Sequence, residues 1–370
     1  MAAATARQHK RVIVVGAGVM GSAAAHALVS SVGRAAGGGA QCTVTLLEQH
    51  EFGHKHGSSH GHSRIIRPVY SQQHYASLMP EAYARWSALD AEASDTLYTQ
   101  TGGLYWGPVG FVDGSGDSMD SHRATCDALG VEYEMMSRAE VAQRWPPLDT
   151  PASDEWEGLF NPDCGILHAD ACVAALQTAA AAGGAELHER CTVTEIEGGG
   201  EGDPVSVRTA DGREFQGDHC VVCAGPWAGE LLRRTTGLQM ALQPTQNTVA
   251  YWPAEAGRGE AFEAGQFPVL ISDCELGTTF TFIHASFKPF KFSRQIRTFV
   301  WHVAALNFIQ ASHAAIVIDW WVLLGAGHQV HSMAFHQLLR MRRARGSLIV
   351  MGANERNNGL NDSEESTQLV

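Results

Sequence analysis

Val12-Ile13-Val14-Val15-Gly16-Ala17-Gly18-Val19-Met20-Gly21 is the stretch that decides the fold. Four β-branched apolar residues in a row read as a strand buried on both faces, of the kind found inside parallel sheets. The strand runs straight into G-x-G-x-x-G. Ser22–Ser31 is alanine-rich and reads as a helix. A glycine-rich loop over 33–41 leads to a second apolar run, Thr43–Leu47, which ends on Glu48. Strand, glycine turn, helix, strand and acid, in that order, make a dinucleotide-binding unit. Gly16 permits the tight turn, Gly18 lets the backbone approach a diphosphate, and Gly21 lets helix and strand pack closely. The first amides of the helix supply free N–H groups and a partial positive charge. Glu48 stands where a carboxylate accepts hydrogen bonds from ribose hydroxyls, and its charge disfavours the 2′-phosphate of NADP. Taken alone, the turn has a plainer alternative, a glycine-rich turn that holds no ligand.

The next segment departs from a plain nicotinamide dehydrogenase. His54-Lys55-His56-Gly57-Ser58-Ser59-His60-Gly61-His62-Ser63-Arg64-Ile65-Ile66-Arg67 carries two arginines three apart behind a Gly/Ser/His loop. Such a loop can lie against a flat polar ring, and its arginines can face an anionic ring or a substrate carboxylate. The alternative for each arginine is a salt bridge to a nearby carboxylate. His50, His54, His56, His60 and His62 raise the question of a metal site. A Gly/Ser loop is a poor scaffold for one, and no matching Cys/His pair lies downstream, so they read as surface histidines of the loop.

The stretch Gly57–Arg67 resembles the flavin-contacting segment of monomeric sarcosine oxidase and its relatives, among them N-methyltryptophan oxidase and pipecolate oxidase. Further matches follow in order: Met79-Pro80-Glu81-Ala82-Tyr83, Thr101-Gly102-Gly103-Leu104-Tyr105, Arg144-Trp145-Pro146 and Asn161-Pro162-Asp163-Cys164-Gly165-Ile166-Leu167. The similarity runs from Arg11 to about Asp273. It implies an FAD enzyme that oxidises a secondary or N-methyl amino acid to an imine and passes the electrons to oxygen, giving hydrogen peroxide. It places His60 and Arg64 beside the flavin ring and Arg67 on the substrate carboxylate. It extends the cofactor set beyond Gly16, Gly18, Gly21 and Glu48 to Val19, Met20, Gln49 and Ser59, and to the backbone near Val193 beside the adenine. Ala224-Gly225-Pro226-Trp227, after the apolar run His219–Cys223, resembles the family's second dinucleotide motif. The implied partners are a small amino-acid substrate and oxygen.

Between these motifs, His74–Ala91 reads as a helix with Leu78, Ala82, Trp86 and Leu89 on one face. Gly102–Gly107 reads as a strand. Ser137-Arg138-Ala139-Glu140 is a capping box. Asp170 reads as the cap of a helix over Ala171–Ala182, and Leu187–Ile196 as one strand. Asp211-Gly212 marks a hairpin between Val205–Thr209 and Arg213–Gln216. Cys220 and Cys223 form a C-x-x-C on a strand, so their side chains point to opposite faces. That argues against a redox pair or a zinc knuckle and favours two buried strand cysteines. The expected fold is α/β: a Rossmann-like FAD-binding domain, a parallel sheet flanked by helices, with a second, mixed antiparallel-sheet α+β substrate domain. Residues 1–95 and 162–238 are assigned to the first, 96–161 and 239–290 to the second, and 291–370 to a divergent C-terminal segment.

After Asp273 the resemblance stops. The family's flavin-facing Lys and His, its Cys for covalent attachment and its capping G-H-G-F-K segment are not found. Gly325-Ala326-Gly327-His328 lacks the rest of the last motif, and Cys274 has the wrong context. Non-covalent FAD is therefore expected. A foreign or frame-shifted C-terminal segment would account for the abrupt loss. Phe299–Gly325 is apolar and long enough to span a membrane, but His302, Asn307, Gln310, His313 and Asp319 make that costly. Two alternatives stay open: an FAD-binding but inactive variant, and a nicotinamide-dependent dehydrogenase.

Composition agrees with a globular chain. The 370 residues are 45% hydrophobic and 18% charged, and the net charge of -13 excludes a nucleic-acid surface, which needs clustered Lys and Arg. The eight scattered cysteines form no small disulfide framework. The start has no apolar signal region and the end no SKL-type address, so a cytoplasmic or peroxisomal location is expected.

Overall fold

A computed structural model describes residues 9–34, 42–112, 116–148, 150, 155–198, 203–242, 244, 257, 259–274, 278–282 and 348–350. In chain order its strands are β1 (Lys10–Val15), β2 (Cys42–Leu47), β3 (Arg64–Ile66), β4 (Tyr98–Gln100), β5 (Gly103–Pro108), β6 (Glu134–Ser137), β7 (Trp156–Asn161), β8 (Gly165–Leu167), β9 (Glu186–His188), β10 (Val193–Gly198), β11 (Val205–Thr209), β12 (Glu214–Gly217), β13 (His219–Val222), β14 (Val269–Cys274), β15 (Thr278–Phe282) and β16 (Leu348–Val350). The helices among these residues are α1 (Val19–Arg34), α2 (Gln73–Ala76), α3 (Met79–Glu92), α4 (Met119–Leu129), α5 (Arg138–Arg144), α6 (Ala169–Ala182) and α7 (Ala228–Thr236).

The first sheet is parallel, with strand order β16-β13-β1-β2-β9. β1 lies at its centre and is apolar on both faces for that reason. Val12 and Val14 pack with Val44, Leu46 and the alanines of α1, whereas Ile13 and Val15 pack with Leu47, Val222 and Leu231 of α7. Each side chain of this size adds about 1.5–3 kcal/mol on full burial. Cys220 and Cys223 divide between the same two cores, as strand alternation requires, and the seven described cysteines are all free. β16 comes from the divergent C-terminal segment. It pairs with β13, Val350 opposite Val222, so that segment supplies an edge strand to the dinucleotide sheet.

The second sheet, β15-β14-β5-β7-β6, is mixed: β14 runs parallel to β5 and the other pairs are antiparallel. Two smaller antiparallel sheets, β10-β11-β12 and β3-β8-β4, complete the architecture. The last of these matters for the site, because β3 connects the histidine loop to the second sheet. The fold is thus α/β with a parallel sheet and separate antiparallel sheets.

Three local readings are corrected. The helix expected over 74–91 is broken into α2 and α3: Ser77 caps α2, and Pro80 near the start of α3 lacks the N–H to continue an earlier turn. Ala82, Trp86 and Leu89 are buried as expected, while Leu78 sits outside the helix as its N-cap. Asp170 does not cap α6. His168 holds the N-cap position, and Asp170 lies in the first turn with its carboxylate turned outward to another loop. The single strand expected over 187–196 is two, β9 and β10. Arg190, at φ 54, breaks the extended backbone between them. The capping box at Ser137 and Glu140 forms as expected. Among the described residues no helix is long and apolar enough to cross a membrane; the apolar segment 299–325 lies outside them.

Candidate functional site

The glycine turn between β1 and α1 is fixed by close approach. Gly16 has φ +99, and a Cβ there would stand 2.9 Å from the carbonyl carbon of Cys223. A Cβ on Gly21 would overlap the carbonyl oxygen of Gly16 and come within 2.9 Å of its carbon. At Gly18 an added Cβ meets only Ser59, with Oγ at 3.0 Å, so this glycine faces the open mouth of the turn. Gly16 N donates to Leu47 O at 2.7 Å, and Ala17 O accepts from Ser22 Oγ at 2.9 Å and Gln177 Nε2 at 3.0 Å. The amides of Gly18, Met20 and Gly21 have no partner among the described residues. That leaves free N–H groups at the head of a helix, the arrangement that binds a phosphate. Val19 N donates to Ser59 Oγ at 3.0 Å, which brings the histidine loop onto the same helix head.

Glu48 follows β2 and is buried. Its Oε2 accepts from Ala17 N at 2.8 Å and its Oε1 from His50 N at 3.0 Å. Each carboxylate oxygen keeps a further lone pair for a ribose hydroxyl. His54 Nε2 lies 3.4 Å from Oε1. Gln49, half-buried, continues the chain beside it. His50, His54 and His56 gather here with ring centroids 4.3–5.7 Å apart, and the exposed Trp227 meets His50 edge-on at 5.9 Å. Among the described residues no His, Cys, Asp or Glu group is arranged to hold a metal. Burial lowers the pKa of His50, and the neighbouring His54 and His56 act in the same direction. Cys223 and Ala224 follow β13 and lie against the turn at Gly16, with Gly225 next in the chain, so the start of the second dinucleotide motif meets the first. Val193 opens β10 with its side chain in the core, and its carbonyl accepts from Arg234 Nη2 at 3.1 Å. The unpartnered amides, the carboxylate and the glycine mouth fit a dinucleotide diphosphate and its ribose.

Arg64 and Arg67 sit at either end of β3 and point to opposite sides, because strand side chains alternate. Arg64 turns back onto its own loop. Its guanidinium donates to the carbonyls of Ser63 at 2.7 Å, Ser58 at 2.5 Å and His60 at 2.9 Å. His60 is half-buried in this loop, where desolvation lowers its pKa and the Arg64 charge adds to the effect.

Arg67 goes the other way, toward the second sheet. Its guanidinium carbon lies 4.6 Å from the centre of the Tyr70 ring and 5.5 Å from that of Tyr105 on β5. Tyr105 is anchored by its hydroxyl, which donates to Val69 O at 2.7 Å. Among the described residues no carboxylate pairs with Arg67. Burial opposes its charge, but Tyr105 and Tyr70 outweigh it and raise the pKa, so the group stays cationic. Sequence reasoning missed both tyrosines. Tyr70, three residues on, was visible in principle; Tyr105 arrives only through the sheet.

A family model described as FAD dependent oxidoreductase matches residues 11–283. A probable sarcosine oxidase of Arabidopsis thaliana is 34% identical over 264 residues, 70% of this chain and 60% of that protein. N-methyl-L-tryptophan oxidase of Escherichia coli is 30% identical over 268 residues, 72% of this chain and 64% of that protein. The solved structure of NikD, described as an unusual amino acid oxidase essential for nikkomycin biosynthesis, superposes with a TM-score of 0.52 at 30% identity, over 61% of this chain and 54% of that one. The chain spans about 60% of the length of the first-matched curated relatives.

Proposed function

The chain belongs to the FAD-dependent oxidoreductase family, and from that premise we propose that it oxidises a secondary or N-methyl amino acid of the sarcosine or pipecolate kind to an imine, with oxygen reduced to hydrogen peroxide. Relatives named sarcosine oxidase and N-methyl-L-tryptophan oxidase support the substrate class. The observation that carries it is Arg67, a partly buried cation between two tyrosine rings with no carboxylate partner among the described residues. A guanidinium drawn out of water without a counter-ion is costly. A substrate carboxylate supplies the counter-ion, in the two-point geometry that guanidinium favours.

FAD, when bound, would supply the redox chemistry of amine oxidation. The protein's residues bind and orient. The free amides of Gly18, Met20 and Gly21 would meet the diphosphate, Val19 N holds the Ser59 hydroxyl beside them, and Glu48 would accept from the ribose. Gln49, Val193, Ala224, Gly225 and Trp227 line the approach from the adjoining strands. Arg64 holds the loop that carries His60, whose lowered pKa keeps the imidazole neutral near pH 7. Arg67 fixes the substrate by its carboxylate. β3 thus joins the cofactor side and the substrate side through three residues.

Peroxide release by the purified full chain, over a panel of sarcosine, other N-methyl amino acids and pipecolate, tests the proposal. Each is paired with the amine that lacks its carboxylate. Turnover of the carboxylated member alone is expected. Equal turnover of both members would remove Arg67 from the reading. A second reading, an FAD-binding protein without turnover, is favoured by one observation: residues 284–370 fall outside the family match. A yellow protein that releases no peroxide from any member would establish that reading instead.

A further inference from the structure

The loop between β2 and β3 is made of glycine, serine and histidine, residues that by themselves leave a chain loose. Two devices fix it. From inside, Arg64 gathers the carbonyls of Ser58, His60 and Ser63 around its guanidinium. From outside, the head of α6 meets Gly61. The Asp170 carboxylate accepts from Gly61 N at 2.7 Å, and Asp170 N donates to Gly61 O at 3.1 Å. Ala169 N donates to His62 O at 3.3 Å. The exchange is reciprocal: the loop satisfies the first amides of α6, and α6 satisfies the loop. Gly61 has φ +110, a backbone that glycine adopts readily and other residues do not.

The same helix also touches the dinucleotide turn. Seven residues further along α6, Gln177 Nε2 donates to Ala17 O at 3.0 Å, in a buried position. α6 therefore holds the glycine turn with its middle and the histidine loop with its head. The spacing between the two halves of the cofactor cradle is set by one rigid helix. Asp170 itself is exposed and belongs to no apolar core, so its replacement leaves the packing intact.

We propose that Asp170 is a positioning residue for the cofactor, holding the 58–63 loop in the arrangement that delivers Ser59 to the amides at the head of α1. This rests on the FAD reading above. The test uses the full chain as wild type, Asp170→Ala, Asp170→Asn, Ser59→Ala and the double variant Ser59→Ala with Asp170→Ala. Flavin fluorescence titration gives the FAD dissociation constant of each, and thermal melts without FAD give its stability.

Asp170→Ala is expected to weaken FAD binding about tenfold, the scale of one charge-assisted hydrogen bond discounted for exposure. Its Tm without FAD is expected to stay within a few degrees of wild type. Asp170→Asn keeps an oxygen acceptor for Gly61 N and is expected to recover most of the affinity. In the Ser59→Ala background the Asp170→Ala change is expected to cost less than about twofold, because the group it positions is gone. Wild-type affinity in Asp170→Ala, or an equal loss in both backgrounds, would overturn the proposal. A wild-type chain that binds no FAD would sink the FAD reading with it; a wild type that binds FAD no better than Asp170→Ala sinks the positioning role alone.

Discussion

Replacing Gly21 by alanine sets two physical effects against each other. Helix propensity alone favours the change, since alanine stabilises a helix interior by about 1 kcal/mol relative to glycine. The structure gives the opposite sign. The new Cβ would overlap the carbonyl oxygen of Gly16, lie 2.9 Å from its carbon and 3.3 Å from Cys223 Cβ, where ordinary contact begins at 3.4 Å. The Gly16 carbonyl is backbone and cannot rotate away, so α1 must lift from β1. Lifting it opens the core formed by Val12, Val14, Ala24 and Ala25. Overpacking of this kind costs about 3 kcal/mol or more once backbone has to move. A net loss of more than about 2 kcal/mol is therefore expected after the propensity gain, a large part of the stability of an ordinary domain. Gly18→Ala is the control. Its Cβ meets only the Ser59 side chain, which can swing aside at the cost of one hydrogen bond, about 1 kcal/mol. That variant is expected to melt near wild type yet to bind FAD about a hundredfold more weakly, because a methyl group stands at the phosphate mouth. Denaturant unfolding of the FAD-free proteins and an FAD titration of each give both numbers. A Gly21→Ala protein as stable as wild type, or a Gly18→Ala protein that does not fold, would refute the packing argument.

Three further outcomes are expected. Arg67→Ala should keep its flavin absorbance but raise KM for a carboxylated amine about a hundredfold, the worth of a bidentate charge-assisted pair; an unchanged KM would exclude the substrate-anchor role. Acidification should destabilise the fold: His50, His60 and His74 have pKa values lowered from 6.5 by burial, so below that value the unfolded chain takes up protons that the folded chain refuses. Tm should therefore fall as pH drops from 6.5 through the lowered values, and His60→Gln should flatten that slope; a Tm that rises over this window would contradict the sign. Acid precipitation of the yellow protein should leave FAD in the supernatant, since no family-like attachment cysteine is found; colour that stays with the pellet would show a covalent bond.

Much of the cradle is legible in the sequence. Gly16, Gly18 and Gly21, the apolar β1 and β2, Glu48 at the strand end and the hairpin at Asp211-Gly212 all follow from local rules. A backbone angle, a two-residue alternation or a turn dipeptide is settled by neighbours in the chain. The failures were also local in form but not in cause. Whether residues 187–196 make one strand depends on which sheet each half joins, and β9 pairs with β2 while β10 pairs with β11. Asp170 looked like a cap because its type and place suit one; its partner, Gly61, lies 109 residues away.

The two arginines show the same division. Sequence set their spacing, and a strand of that length sends them to opposite sides. What each one meets was decided by tertiary structure. Arg64 closes on its own loop, and Arg67 finds Tyr105 because β5 is brought to it from another sheet. Spacing and strand direction are properties of the chain as written. Burial and charge partners arise only when distant segments exclude water together, and no local pattern encodes which segments those are.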